Sequence, residues 1–134
     1  MIVADASLLA HLLIPSPESA LAEDVYRKDP EWNAPVLWRS ELRSVLLKHM
    51  RHSGMKIELA TAVVEKALLV IRERETLPPT PAVLEAAVFF NVSAYDAEYL
   101  VAARQLGVPL LTFDRKLQQA APGLAIAPNA FASS

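Results

Sequence analysis

The chain contains no cysteine. A disulfide framework and a thiolate metal site are therefore excluded, and the composition suits a reducing, cytoplasmic setting. It also lacks any apolar run near the ~20 residues that a membrane-spanning helix needs, so no membrane association is expected. No basic segment precedes the first apolar stretch, which does not read as a signal peptide. Neither sign of charge is in large excess: 13 Lys and Arg stand against 15 Asp and Glu, for a net charge of −2. Bulk charge thus gives no indication of a strongly basic nucleic-acid binder. No repeat or low-complexity run interrupts the chain, and its 134 residues are expected to form one domain over 1–134.

Apolar residues make up 53% of the chain, slightly above the usual range of about 45–50%. A domain of this length buries roughly two-thirds of its unfolded surface, so it carries a core without staples. The apolar excess points to a surface covered by a second copy or a partner.

The pattern along the chain alternates between short apolar runs and helical periodicity. "MIVAD" (1–5) is too short for a helix and reads as a buried strand. "SLLAHLLI" (7–14) follows it and ends at Pro15. Ser16 as N-cap, Pro17 at the first helical position and Glu18 in the first turn predict a helix over 16–29. "EWNAP" reads as a short strand or turn. Segments 36–52 and 56–75 flank Gly54 and predict a helical hairpin with the glycine as stop. "TLPPTP" (76–81) breaks the pattern. Thr80 and Pro81 open a helix to about Phe90, and Ser93 opens another to about Leu106. "PLLTF" (109–113) reads as a buried strand, "DRKLQQA" as a short helix and "GLAIA" as a last strand. Strands separated by helices predict an α/β architecture, with a parallel sheet covered on both faces. Ligands in such sheets sit outside the carboxyl ends of the strands.

Two acids fall at those ends, Asp5 after the first strand and Asp114 after "LLTF". Each also precedes a helical segment and reads equally as an N-cap. Asp96, three residues after Ser93, fits the third position of a capping box. It also begins a stripe through Tyr99, Leu100 and Ala103 that faces inward. Glu41 lies one turn from both Leu37 and Val45, so it leans toward the protein, whereas a mid-helix glutamate is usually solvated. Clustered buried carboxylates need a cation or a proton, and an all-oxygen set suits Mg²⁺ or Mn²⁺.

"IVADAS", "ELRSVL" and "SAYDAEYLVAARQLGVPLLTFDRKL" together resemble the PIN-domain family, and most closely its VapC-type toxin ribonucleases. The resemblance runs from residue 1 to about 122. It implies a three-layer α/β/α sandwich around a central parallel sheet. It implies that Asp5, Glu41, Asp96 and Asp114 converge on one or two Mg²⁺ or Mn²⁺ ions, with Ser7 and Thr112 as supporting hydroxyls. The activity implied is metal-dependent endoribonuclease cleavage of RNA, leaving a 5′-phosphate and a 3′-hydroxyl. The implied partners are a second copy in a homodimer and a small VapB-like antitoxin that fills the acidic groove. One position departs from the pattern: the family often has Asn three residues after the glutamate, and here the shorter Ser44 stands.

Other signals have plainer readings. His49 and His52 share a helix face as a zinc pair would, but no third ligand accompanies them and a solvated helix end accounts for both. "KHMRHSGMK" (48–56) is locally basic, which suits either RNA contact or a helix C-terminus. Arg115 and Lys116 read as an exposed first-turn pair or as phosphate ligands beside the metal. Tyr95, Tyr99 and Phe113 read as core or rim, and Trp32 and Trp38 as packing. A noncatalytic PIN module that binds RNA or a protein is the alternative function, against which the full set of four acids argues. A phosphoryl-transfer pocket would need a second acid near Asp5, where Ser7 stands, and a lysine at the strand end after "PLLTF", where Asp114 stands.

Overall fold

Five short strands set the frame of the molecule, which is described from Met1 to Ser134 by a computed structural model. They are β1 (Ile2–Ala4), β2 (Trp32–Pro35), β3 (Glu75–Thr76), β4 (Leu110–Leu111) and β5 (Ala125–Ile126). They pair in the order β3-β2-β1-β4-β5, and every pairing is parallel. β1 is central: Ile2 stands opposite Trp32 on one side, and Val3 opposite Leu110 on the other. All three β1 residues are fully buried, as a continuous apolar strand in a parallel sheet requires.

Eight helices connect and cover the strands: α1 (Ala6–Leu13), α2 (Ser19–Lys28), α3 (Trp38–Ser53), α4 (Ile57–Ile71), α5 (Thr80–Phe90), α6 (Ala94–Leu106), α7 (Arg115–Ala120) and α8 (Pro128–Ala132). α6 lies on β1, β2 and β4 and carries α5 on its back. α1 packs against α2, α3 and α4. The core runs through Ile2, Leu8, Leu9, Trp32, Trp38, Leu42, Leu100 and Leu111. A smaller cluster of Val83, Ala86, Ala97 and Val101 joins α5 to α6. No helix is long and apolar enough to cross a membrane.

The expected sheet-and-helix architecture is present, and its punctuation is where the sequence places it. Gly54 ends α3 at φ +70°, and Gly107 ends α6 at φ +69°. Both are left-handed positions that favour glycine. Ser93 caps α6, its Oγ accepting from the Asp96 N–H at 3.0 Å.

Three boundaries differ. The helix expected from Ser16 begins at Ser19, with Glu18 rather than Ser16 at its cap. The Ser16 hydroxyl bonds His11 Nδ1 at 2.8 Å, and the Ser19 hydroxyl turns back to accept from the Ser16 N–H at 2.9 Å. These local bonds hold Ser16 and Pro17 in a turn ahead of the helix. The helix expected to run to 75 stops at Ile71, where Arg72 takes φ +56°. Arg74 then bonds the Val70 carbonyl at 2.7 Å and the Trp32 carbonyl at 3.0 Å, and the next two residues form β3. Long-range pairing overrides local helical periodicity there. Finally, α8 follows β5 with Pro128 in its first turn, beyond the last expected element.

Candidate active site

The parallel sheet delivers two acids to the same edge. Asp5 directly follows β1, and Asp114 comes three residues after β4, the strand beside it. Both are helix N-caps. Asp5 Oδ1 accepts from the Leu8 N–H at 2.9 Å and from the Ser7 hydroxyl at 2.8 Å. Asp114 Oδ1 accepts from Lys116 N–H at 2.9 Å and Leu117 N–H at 3.2 Å. In both residues the cap uses Oδ1, so Oδ2 takes no part in capping. The capping reading and the site reading of these acids are therefore compatible.

Asp96 sits in the first turn of α6 and Glu41 in the first turn of α3. These two helix starts face the same space. Asp5, Glu41, Asp96 and Asp114 all line one open cavity of about 490 Å³, together with Ser7, Ser44, Lys48, Tyr95 and Tyr99. Thr112 lies behind this wall, fully buried, and its Oγ1 accepts from the Asp114 N–H at 3.0 Å. It fixes the turn that presents Asp114.

A PIN domain family model matches residues 2–122. The chain belongs to the PIN-domain family. A relative named Ribonuclease VapC3, from Pyrobaculum aerophilum, is 33% identical over 129 residues, covering 92% of this chain and 96% of that protein. Ribonuclease VapC1 of Mycobacterium tuberculosis is 33% identical over 124 residues, 91% of each chain. The crystal structure of PAE2754 from Pyrobaculum aerophilum superposes with a TM-score of 0.74 at 25% identity, covering 98% of this chain and 93% of that one.

In this PIN domain the acids are electrostatically coupled. Burial pushes the Asp5 carboxyl above the ordinary aspartate range; hydrogen bonding from Thr112, Leu8 and Ser7 offsets part of the shift, and the Asp114 charge adds to it. Burial also raises Asp96, with Asp114 and Asp5 as further causes. Glu41 is raised by burial first, partly offset by Tyr99, and then by the charges of Asp5, Asp96 and Glu98. Each of these three acids thus feels at least one of the others, as expected when like charges share a pocket.

The residues present suit a hard divalent cation in chemistry: carboxylate and hydroxyl oxygens, with no sulfur. A second observation agrees. The Tyr99 hydroxyl is buried, lines the acidic cavity and interacts with Glu41, but no hydrogen bond of full geometry closes it off within the chain. Buried polar groups of this kind are rare without a ligand, ion or water to meet them. The carboxylates do not close into a ready cage of three or more ligands.

Tyr95, Tyr99 and Lys48 also line the cavity, although in the sequence the two tyrosines read as core or rim and Lys48 only as part of a basic run. Tyr99 carried the signal in its spacing, one turn from Asp96 on the same stripe. Lys48 carried it too, seven residues from Glu41 and therefore on the same face of α3. Arg115 and Lys116 are exposed and do not line the cavity. His49 and His52 lie outside it as well. Phe113 packs edge-on against His11, with ring centroids 4.9 Å apart. Trp38 is core, and Ser44 is exposed at the cavity wall.

Proposed function

We propose that this PIN-domain protein is a metal-dependent endoribonuclease, the toxin of a VapBC-type toxin–antitoxin pair, acting in the cytoplasm. The observation that carries the reading is the convergence of Asp5, Glu41, Asp96 and Asp114, from four separate elements, on one cavity. The 33% identity to proteins named as VapC ribonucleases supports the same chemistry. Asp5, Asp96 and Asp114 would hold Mg²⁺ or Mn²⁺, with Glu41 reaching it directly or through water. Such an ion, when bound, polarises a phosphodiester oxygen and lowers the pKa of a water for hydrolysis.

The chain's own residues prepare that event. The Ser7 hydroxyl donates to Asp5 Oδ1 at 2.8 Å and holds the carboxylate in one orientation. Thr112 Oγ1 accepts from the Asp114 N–H and so holds the backbone that carries Asp114. The partly buried acids are poorly solvated, which strengthens their hold on a cation.

The partners follow from the same reading. A VapB-like antitoxin would block the cavity most simply by presenting an Arg, whose planar fork pairs bidentately with carboxylates. The apolar excess supports a homodimer, and light scattering at micromolar concentration should give twice the chain mass of 14.7 kDa. A clean monomer would overturn that part.

The catalytic test is direct. Purified protein should cleave single-stranded or hairpin RNA with Mg²⁺ or Mn²⁺ and stop in EDTA. Asp5→Asn, Asp96→Asn and Asp114→Asn should each reduce cleavage by orders of magnitude. Full activity in EDTA would sink the metal mechanism, and loss of growth arrest in Asp5→Ala alone would support the toxin role.

A further inference from the structure

Lys48 is the only cationic side chain that lines the carboxylate cavity. It is exposed, and it belongs to none of the ion pairs of the chain. It stands on the Glu41 face of α3 two turns farther on, about 10 Å along the helix axis. It makes no ion pair with Glu41. It adds a free positive charge at one end of a negative cavity.

Tyr95 lines the same cavity from a different helix, directly before Asp96. It is 63% exposed, whereas Tyr99, one turn later, is 2% exposed. The inward place on α6 is therefore filled by Tyr99, and packing does not account for Tyr95. An aromatic ring in solvent beside a catalytic cavity offers a stacking surface.

A polyanion cannot approach four carboxylates without compensation. A cation neutralising the acids would relieve the repulsion at the reacting phosphate only. The neighbouring phosphates and the bases need separate contacts. Single-stranded nucleic acid is held in general by a positive group that tracks the backbone and by aromatic faces on which bases stack. Lys48 and Tyr95 supply one of each, from two helices, around one cavity.

We propose that Lys48 and Tyr95 form a two-point grip on single-stranded RNA, with Lys48 holding a phosphate that flanks the scissile bond and Tyr95 stacking an unpaired base. The grip rests on the ribonuclease reading for its substrate class. It would give a chain of net charge −2 two local contacts for RNA at the cavity. It also separates Lys48 from the rest of the "KHMRHSGMK" run, since no other basic residue of that run lines the cavity.

The test measures binding rather than turnover. Fluorescence anisotropy of a labelled single-stranded oligoribonucleotide is followed in EDTA at several salt concentrations, beside a blunt RNA duplex of the same sequence. Lys48→Gln should weaken single-strand binding several-fold at low salt. It should also reduce the slope of log affinity against log salt by about 0.7, the loss of one phosphate contact on a single strand. Lys48→Arg should restore both. Tyr95→Ala should weaken single-strand binding on the order of ten-fold with the salt slope unchanged, while Tyr95→Phe keeps wild-type affinity. Duplex binding should not respond to Tyr95. Both positions are exposed, so all four variants should melt with the wild type, which separates grip from fold.

Wild-type affinity and slope in Lys48→Gln, or wild-type affinity in Tyr95→Ala, would overturn the grip. So would absence of RNA binding by the wild type. RNA binding with the expected variant pattern but no cleavage in Mg²⁺ would leave the grip standing and remove the nuclease reading. Cleavage in Mg²⁺ with unaffected variants would do the reverse.

Discussion

Asp5 serves two structures with two oxygens. Oδ1 closes the first turn of α1, and the carboxyl as a whole belongs to the acidic cavity. The two roles respond differently to substitution. Asn caps a helix about as well as Asp but carries no charge, whereas Ala removes the cap at a cost of about 1 kcal/mol. In EDTA, Asp5→Asn should melt no lower than wild type, because it relieves repulsion among the acids. Asp5→Ala should melt below Asp5→Asn. Adding Mg²⁺ should raise the wild-type melting point by mass action and leave Asp5→Asn almost unmoved. If the four curves of wild type and Asp5→Asn, with and without Mg²⁺, coincide, Asp5 is a cap alone. This residue also shows what the sequence could say. Its place after a short apolar strand was legible, as was the cap. That both could hold at once depends on which oxygen each bond uses, and only the folded geometry carries that.

β3 is the element least visible in the sequence, and its support is long-range. Two residues make a poor strand alone, and their hydrogen-bond partner is β2 at the sheet edge. The Glu75 side chain anchors it to the start of α3. Arg39 donates to Glu75 through Nε at 2.8 Å and a terminal nitrogen at 2.7 Å, and Trp38 Nε1 donates at 2.6 Å. Helical periodicity through residue 75 gave no hint of this, because the partners lie some 36 residues back in the chain. The caps of α3 and α6 were legible for the opposite reason: Gly54, Ser93 and Gly107 act within their own turns. Glu75→Ala should leave the buried Trp38 indole N–H unpaired and lower stability by about 1–3 kcal/mol. Thermal melts at neutral pH check this. Glu75 also has a pKa held below the usual glutamate range, by hydrogen bonding from Arg39 first, with burial partly offsetting it and Trp38 adding to it. Its contribution is present above the ordinary glutamate pKa and is lost as pH falls through the lowered folded value. The gap in melting point between wild type and Glu75→Ala should therefore narrow on acidification.

At the scale of the whole molecule, the cavity acids carry the opposite sign. Asp5, Glu41 and Asp96 all have pKa values raised in the fold, with burial the first cause of each. A raised folded pKa means that the folded chain holds protons more tightly than the unfolded chain. The resulting stability is fully present below the ordinary carboxylate range and is lost as pH rises through the elevated folded values. The metal-free protein should thus gain stability on mild acidification from neutral pH, until the loss at Glu75 reverses the trend. Mg²⁺ competes with those protons for the same oxygens. Its stabilisation should be largest at neutral pH and shrink as the pH falls toward the raised values. Calorimetric melts across this range, in EDTA and in Mg²⁺, give two curves that converge on acidification. Parallel curves would mean that the cation binds elsewhere, and a metal-free stability that only rises with pH would mean that these three acids do not share the cavity's repulsion. The convergence needs the start of α1, α3 and α6, which carry these acids, to be in place together. A single exposed carboxylate would release its cation only in the ordinary carboxylate range, so the two curves would stay apart to lower pH.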